Sequence, residues 1–117
     1  MTLFGPTTRA IRERLYEEDR RYSVRQVAGR VGIEPAYLSK IERGEVSPPS
    51  EVTTVRLAKE LGQDPDVMLA LAGKVSADLQ AIIRKRPRLF ADLIRQLKEA
   101  PDEAVLRVVR EVRDGDW

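Results

Sequence analysis

Proline and glycine cut this 117-residue chain into short pieces. A proline lacks the amide N–H and clashes with the turn before it, so it is tolerated only at or near a helix start. Pro35, the Pro48-Pro49 pair, Pro65, Pro87 and Pro101 are therefore boundaries. Gly32, Gly44, Gly62 and Gly73 stand where helical patterns run out, the usual place for a left-handed stop. Between these breakers the apolar residues recur at i, i+3, i+4 and i+7, the spacing of one helical face. No stretch alternates apolar and polar between hairpin turns, so the expected class is all-α.

The helices follow from their caps. Thr7 or Thr8 caps a first helix running to about Asp19, with Ile11 and Leu15 on one face and Arg9, Arg12 and Arg14 around it. Asp19 to Tyr22 reads as a polar connection. Ser23 caps a second helix from Val24 to Val31, and Gly32 ends it. Pro35 opens a third that continues to Arg43, and Gly44 stops it. Ser50 caps a fourth, whose apolar set is Val52, Val55, Leu57, Ala58 and Leu61. Asp64-Pro65 gives a cap and a first-turn proline for a short fifth through Ala72. Three more amphipathic segments follow. Ser76 caps one carrying Leu79, Ile82 and Ile83; Pro87 opens one with Phe90, Leu93, Ile94 and Leu97; Pro101 opens one with Val105, Val108, Val109 and Val112.

Composition removes most chemistry. The chain has no Cys and no His. That excludes a disulfide framework, a thiolate zinc site, a cysteine nucleophile and imidazole base catalysis. No nucleophile–base constellation or phosphate-binding glycine loop is present, so the expectation is a non-enzyme without cofactor or metal. Twenty-one Lys and Arg against 19 Asp and Glu leave a net charge of only +2. Any nucleic-acid binding must then come from local placement of charge, because the overall field is weak. No apolar run reaches the ~18–20 residues of a membrane span. Met1 to Thr8 lacks the basic and apolar regions of a signal peptide, so a cytoplasmic location is expected.

The most informative segment is Ser23 to Gly44, S-VRQVAGRV-G-IEPAYLSKIERG. It resembles the helix-turn-helix of the phage-repressor-like (Xre-type) DNA-binding family of transcriptional regulators. The resemblance covers roughly residues 8–72. It implies a five-helix, lambda-repressor-like domain over residues 1–73, followed by a helical extension over 74–117. It also implies a core in which Ala28 sits at the helix crossing and Gly32 makes the turn. Val24, Val27, Val31, Ile33, Leu38 and Ile41 would fill the space between. One face of the third helix is then left for the major groove.

Carried over position by position, the resemblance implies base contacts from Pro35, Ala36, Tyr37, Ser39 and Lys40. Lys40 suits guanine O6 and N7, and Ala36 a thymine methyl. Phosphate contacts fall to Ser23, Arg25, Arg43 and Ser47, and they set register while base contacts set sequence. Glu42 is implied to be structural. Two positions depart from the pattern. Val24 stands where many relatives place a Gln that braces the recognition helix, leaving Arg25 as the nearest polar candidate. Glu34 replaces the usual Ser or Thr cap and would repel phosphate unless it meets a base amino group or a neighbouring Arg.

The implied partner is double-stranded DNA, bound as a repressor on a palindromic operator by a homodimer. Residues 74–117 would supply the dimer contact, since such short helices are marginal alone. Two alternatives remain open: an antitoxin-like regulator whose residues 74–117 hold a toxin or protease, and a helix-turn-helix interaction module without DNA. The run Arg84-Lys85-Arg86-Pro87-Arg88 reads as favourable charge at a helix C-terminus, with phosphate or an acidic surface as the other readings. Trp117 either frays or covers an apolar interface.

Overall fold

A computed structural model describes residues 3–117. Its elements are α1 Phe4–Glu18, a 3-10 turn Arg20–Tyr22, α2 Val24–Val31, α3 Pro35–Glu42, α4 Glu51–Glu60, α5 Pro65–Leu71, α6 Ala77–Lys85, α7 Pro87–Leu97 and α8 Asp102–Asp114. Every described element is helical, so the fold is all-α. The chain divides into two compact units, and the division falls between Ser76 and Ala77.

Local chemistry sets the ends. The Ser23 hydroxyl accepts from the Gln26 N–H at 3.2 Å, Ser50 from Thr53 at 3.3 Å, and the Asp64 carboxylate from Asp66 at 2.9 Å. Each satisfies an amide that its helix leaves unpaired. Pro35 and Pro65 occupy first-turn positions, where a missing N–H costs nothing. Gly32 turns the chain at φ 88°, and its N–H donates to the Ala28 carbonyl at 2.9 Å. A side chain there would be strained.

Two expectations are corrected. Thr7 and Thr8 do not cap α1, which begins four residues earlier than Thr8, at Phe4. Pro6 falls inside the first turn, which tolerates it, and the Leu3 carbonyl accepts the Thr7 N–H at 3.1 Å. Phe4, Thr8 and Arg12 then line up at every fourth position and all three are buried. In α4, Val52 is 61% exposed, and Thr54 takes the inward position beside Leu57, Ala58 and Leu61. The register 54, 57, 58, 61 closes one face, and the Thr54 hydroxyl donates to the Pro49 carbonyl at 3.3 Å.

The first unit has one core. Phe4, Val27, Ala28, Val31, Leu38, Ile41, Leu57, Ala58, Leu61 and Met68 form a single buried cluster. Within it α1 packs on α3, α2 packs on α3 and α4, and α4 packs on α5. Beyond α5, Lys74 Nζ donates to the Pro49 carbonyl at 3.0 Å. The second unit is different: none of the residues of α6, α7 and α8 is buried. Each of these helices still carries an apolar stripe, and α6 and α7 touch one another.

Candidate nucleic-acid interface

The expected contact residues lie on α2, α3 and the loop after α3. In α3, Leu38, Ile41 and Glu42 point inward and are buried. Ala36, Tyr37 and Lys40 are exposed, and Arg43 at the C-cap continues the same face. That spacing is one helical stripe, presented outward because the opposite stripe is locked in the core. Pro35 and Ser39 are half-buried at its edges. The predicted core residues behave accordingly. Val27, Ala28, Val31, Leu38 and Ile41 are buried, while Val24 and Ile33 are half-buried and packed against them.

Besides the core packing of Leu38 and Ile41, a buried ion pair ties α3 to α1. Arg12 Nε donates to Glu42 Oε2 at 2.7 Å, and Arg12 Nη2 donates to Oε1 at 2.9 Å. The third point is the Tyr22 carbonyl, which accepts from Arg12 Nη1 at 3.1 Å. The planar guanidinium thus fixes α1, the end of α3 and the entry to α2 at once. Its bond to Glu42 raises the Arg12 pKa above the ordinary value, against the opposing effect of burial. Arg12, rather than Arg25, is the polar residue that braces α3. Arg25 is exposed and makes no ion pair or side-chain hydrogen bond among the described residues.

The polar candidates are not equally available. The Ser23 hydroxyl is committed to capping α2. Ser39 lines a small cleft of about 120 Å³ with Val24, Arg9, Arg12, Glu42 and Arg43. Arg43 is held by Glu45 across 2.9 and 3.2 Å in an exposed forked pair. This bond raises the Arg43 pKa and keeps the Glu45 carboxyl below its usual range. Glu45 is therefore ionised near neutrality and competes with phosphate for Arg43. Ser47 is exposed in the loop. Glu34 is the N-cap of α3 but makes no side-chain capping bond, and it is exposed on the side from which α3 begins. Lys40 and Tyr37 make no ion pair or ring contact among the described residues.

A family model described as a helix-turn-helix domain matches residues 4–71, well over half of the chain. The chain belongs to the helix-turn-helix domain family.

The helix-turn-helix domain begins at Phe4, where α1 begins, and ends with α5. Membership places the protein, at a coarse level, among DNA-binding regulators. It accords with the Xre-type resemblance of Ser23 to Gly44. No curated protein and no solved structure matches the chain significantly. No described helix is long and apolar enough to cross a membrane.

Sequence reasoning passed over the part that Arg12 plays in this helix-turn-helix domain, and also Phe4 and Gly5. Thr8 and Arg12 are polar, so no apolar periodicity marked the buried face Phe4, Thr8, Arg12 of the longer α1. Nothing local pairs Arg12 with a residue 30 positions away.

Proposed function

We propose that the chain is a sequence-specific transcriptional regulator, a repressor that docks as a homodimer on a palindromic operator. The observation that carries this reading is the outward stripe of α3, with Ala36, Tyr37 and Lys40 unengaged while Arg12 clamps the helix from behind. In this reading α3 enters the major groove, Lys40 and Ala36 meet base edges, and Arg25 and Arg43 grip phosphates. Occupying a promoter excludes polymerase, so the protein acts by binding and in the cytoplasm, without catalysis.

The homodimer is supported by the second unit. A unit of this size buries too little to hold itself, and here α6, α7 and α8 have no buried residue. Pairing two copies doubles the number of placed contacts, which one short helix needs for selectivity. The same exposed stripes favour one other occupant, a toxin or protease held by residues 74–117 in an antitoxin-like regulator. Co-purification with the product of a neighbouring gene selects that reading.

The test is selection of bound duplexes from a random pool. The expected product is an inverted repeat whose half-site centres lie about 10 base pairs, or ~34 Å, apart. Recovery of unrelated sequences, or of none, defeats the reading.

A further inference from the structure

The helix-turn-helix elements α2 and α3 bring few free cations to a polyanion. Residues 1–76 hold 12 basic and 11 acidic side chains. Five of the arginines are tied to carboxylates: Arg9 to Glu13, Arg12 to Glu42, Arg21 to Asp19, Arg30 to Glu60 and Arg43 to Glu45. Of the cations carried by α2, α3 and the C-cap of α3, only Arg25 and Lys40 are free of an ion pair. Affinity for duplex DNA rises with the number of phosphates neutralised, so two free cations make a weak hold.

The densest group of unengaged cations lies in the second unit. Arg84, Lys85, Arg86 and Arg88 put four positive charges into five residues where α6 passes into α7. All four are exposed, and none has an ion pair among the described residues. Helix-end electrostatics accounts for only half of them. Arg84 and Lys85 occupy the last turn of α6, where a cation is favourable. Arg86 is the N-cap of α7, without a side-chain capping bond, and Arg88 is in the first turn, which carries no acid. There a cation opposes the helix dipole and is unfavourable. The run as a whole also repels itself. An anion docked at the junction relieves both penalties, and it meets the unpaired amides of α7 as well.

We propose that the α6–α7 junction is a second phosphate-binding surface, through which the chain grips the DNA backbone without reading sequence. This rests on the DNA-binding reading above. Three of the four cations are arginines, whose fork matches phosphate oxygens in two parallel bonds. DNA is the favoured polyanion because its phosphates complement the charge of the run and the same chain carries a helix-turn-helix domain. An acidic protein surface lacks the second of these supports.

The experiment is fluorescence anisotropy of the full chain on a random-sequence 30-base-pair duplex across a salt series. The quadruple variant Arg84→Gln, Lys85→Gln, Arg86→Gln, Arg88→Gln is compared with wild type, with circular dichroism as the check on folding. Each neutralised contact is worth about 0.9 in the slope of log affinity against log salt. The expected result is a slope shallower by roughly 3 per bound chain and at least about tenfold weaker binding near physiological salt. Should the quadruple variant lose helicity, Arg86→Gln with Arg88→Gln alone is expected to flatten the slope by nearly 2. It should also raise the melting temperature, because those two charges oppose α7. Wild-type slope in a folded variant overturns the second surface and leaves the DNA reading standing, with an acidic protein as the remaining partner for the run. No binding of wild type to the random duplex overturns the second surface, and failure of the duplex selection as well overturns both.

Discussion

Glu42 and Glu45 lie three residues apart and use the same chemistry in opposite ways. Glu42 is buried and has Arg12 as its only ion-pair partner among the described residues, so its charge cannot be removed alone. Glu42→Gln strands the guanidinium and is expected to cost about 3–5 kcal/mol, read from urea denaturation. Replacing both partners with apolar residues of similar volume should recover much of that loss; equal damage in both variants would mean the pair is not what matters. Glu45 is exposed, and its pair with Arg43 adds little to stability. Its carboxyl is held low by Arg43, so any stabilisation is present above the ordinary carboxylate range and fades only as acid takes the pH below it. Across neutral pH the pair therefore persists as a weak competitor for Arg43. Glu45→Gln should tighten binding to random duplex several-fold and steepen the salt slope by about 1. Lys40→Ala should instead erase the preference between selected and random DNA, at a cost of about 1–3 kcal/mol on the selected site. Anisotropy titrations of both variants on both duplexes separate the roles, and equal losses on the two duplexes would count against base reading by Lys40.

Elements were legible wherever one residue sets the local outcome. Ser23, Ser50 and Asp64 cap, Pro35 and Pro65 open, and Gly32 turns, because each acts on backbone groups within a few positions. The start of α1 is not legible because threonine is a favoured cap residue, and only burial of Phe4 and Thr8 decides against that role. Gly5 shows the same limit. A Cβ there would lie 2.3 Å from the Ile41 carbonyl oxygen and 3.0 Å from that of Glu42, so α1 crosses the end of α3 backbone to backbone. Gly5→Ala is expected to destabilise by about 1–3 kcal/mol through overpacking. Gly29 in α2 has no atom within 4 Å of the added carbon, so Gly29→Ala should stabilise by about 0.5–1 kcal/mol. Thermal melts of the two variants should move in opposite directions. A shift of the same sign in both would refute the close approach at Gly5.

At the scale of the whole molecule, the two units differ in where their apolar residues go. In the first, Phe4, Leu38, Leu57, Met68 and their neighbours enclose one another. In the second, Leu89 is 69% exposed, Ile94 57% and Val112 61%. Trp117, though its indole N–H donates to the Val112 carbonyl at 2.8 Å, leaves its ring in solvent. Light scattering of the full chain at micromolar concentration is expected to give the mass of a dimer. Leu93→Asp with Ile94→Asp should return the monomer mass while preserving the melting of the first unit. A monomeric wild type would remove the support for a symmetric repressor.

The stops, caps and stripes of this chain are written in residues a few positions apart, since helix ends and helical faces depend on neighbours along the backbone. All-α class and the turn at Gly32 are therefore properties of the sequence read alone, whereas packing of Leu38, Ile41 and Glu42 turns the other stripe of α3 outward. Tertiary structure decided the long-range charge pairs. Arg12 is buried against Glu42 from 30 residues away, and Arg30 meets Glu60 across the same separation. A net charge of +2 says how much charge there is. Only the folded chain, by pairing some charges and stranding others, decides where it can act.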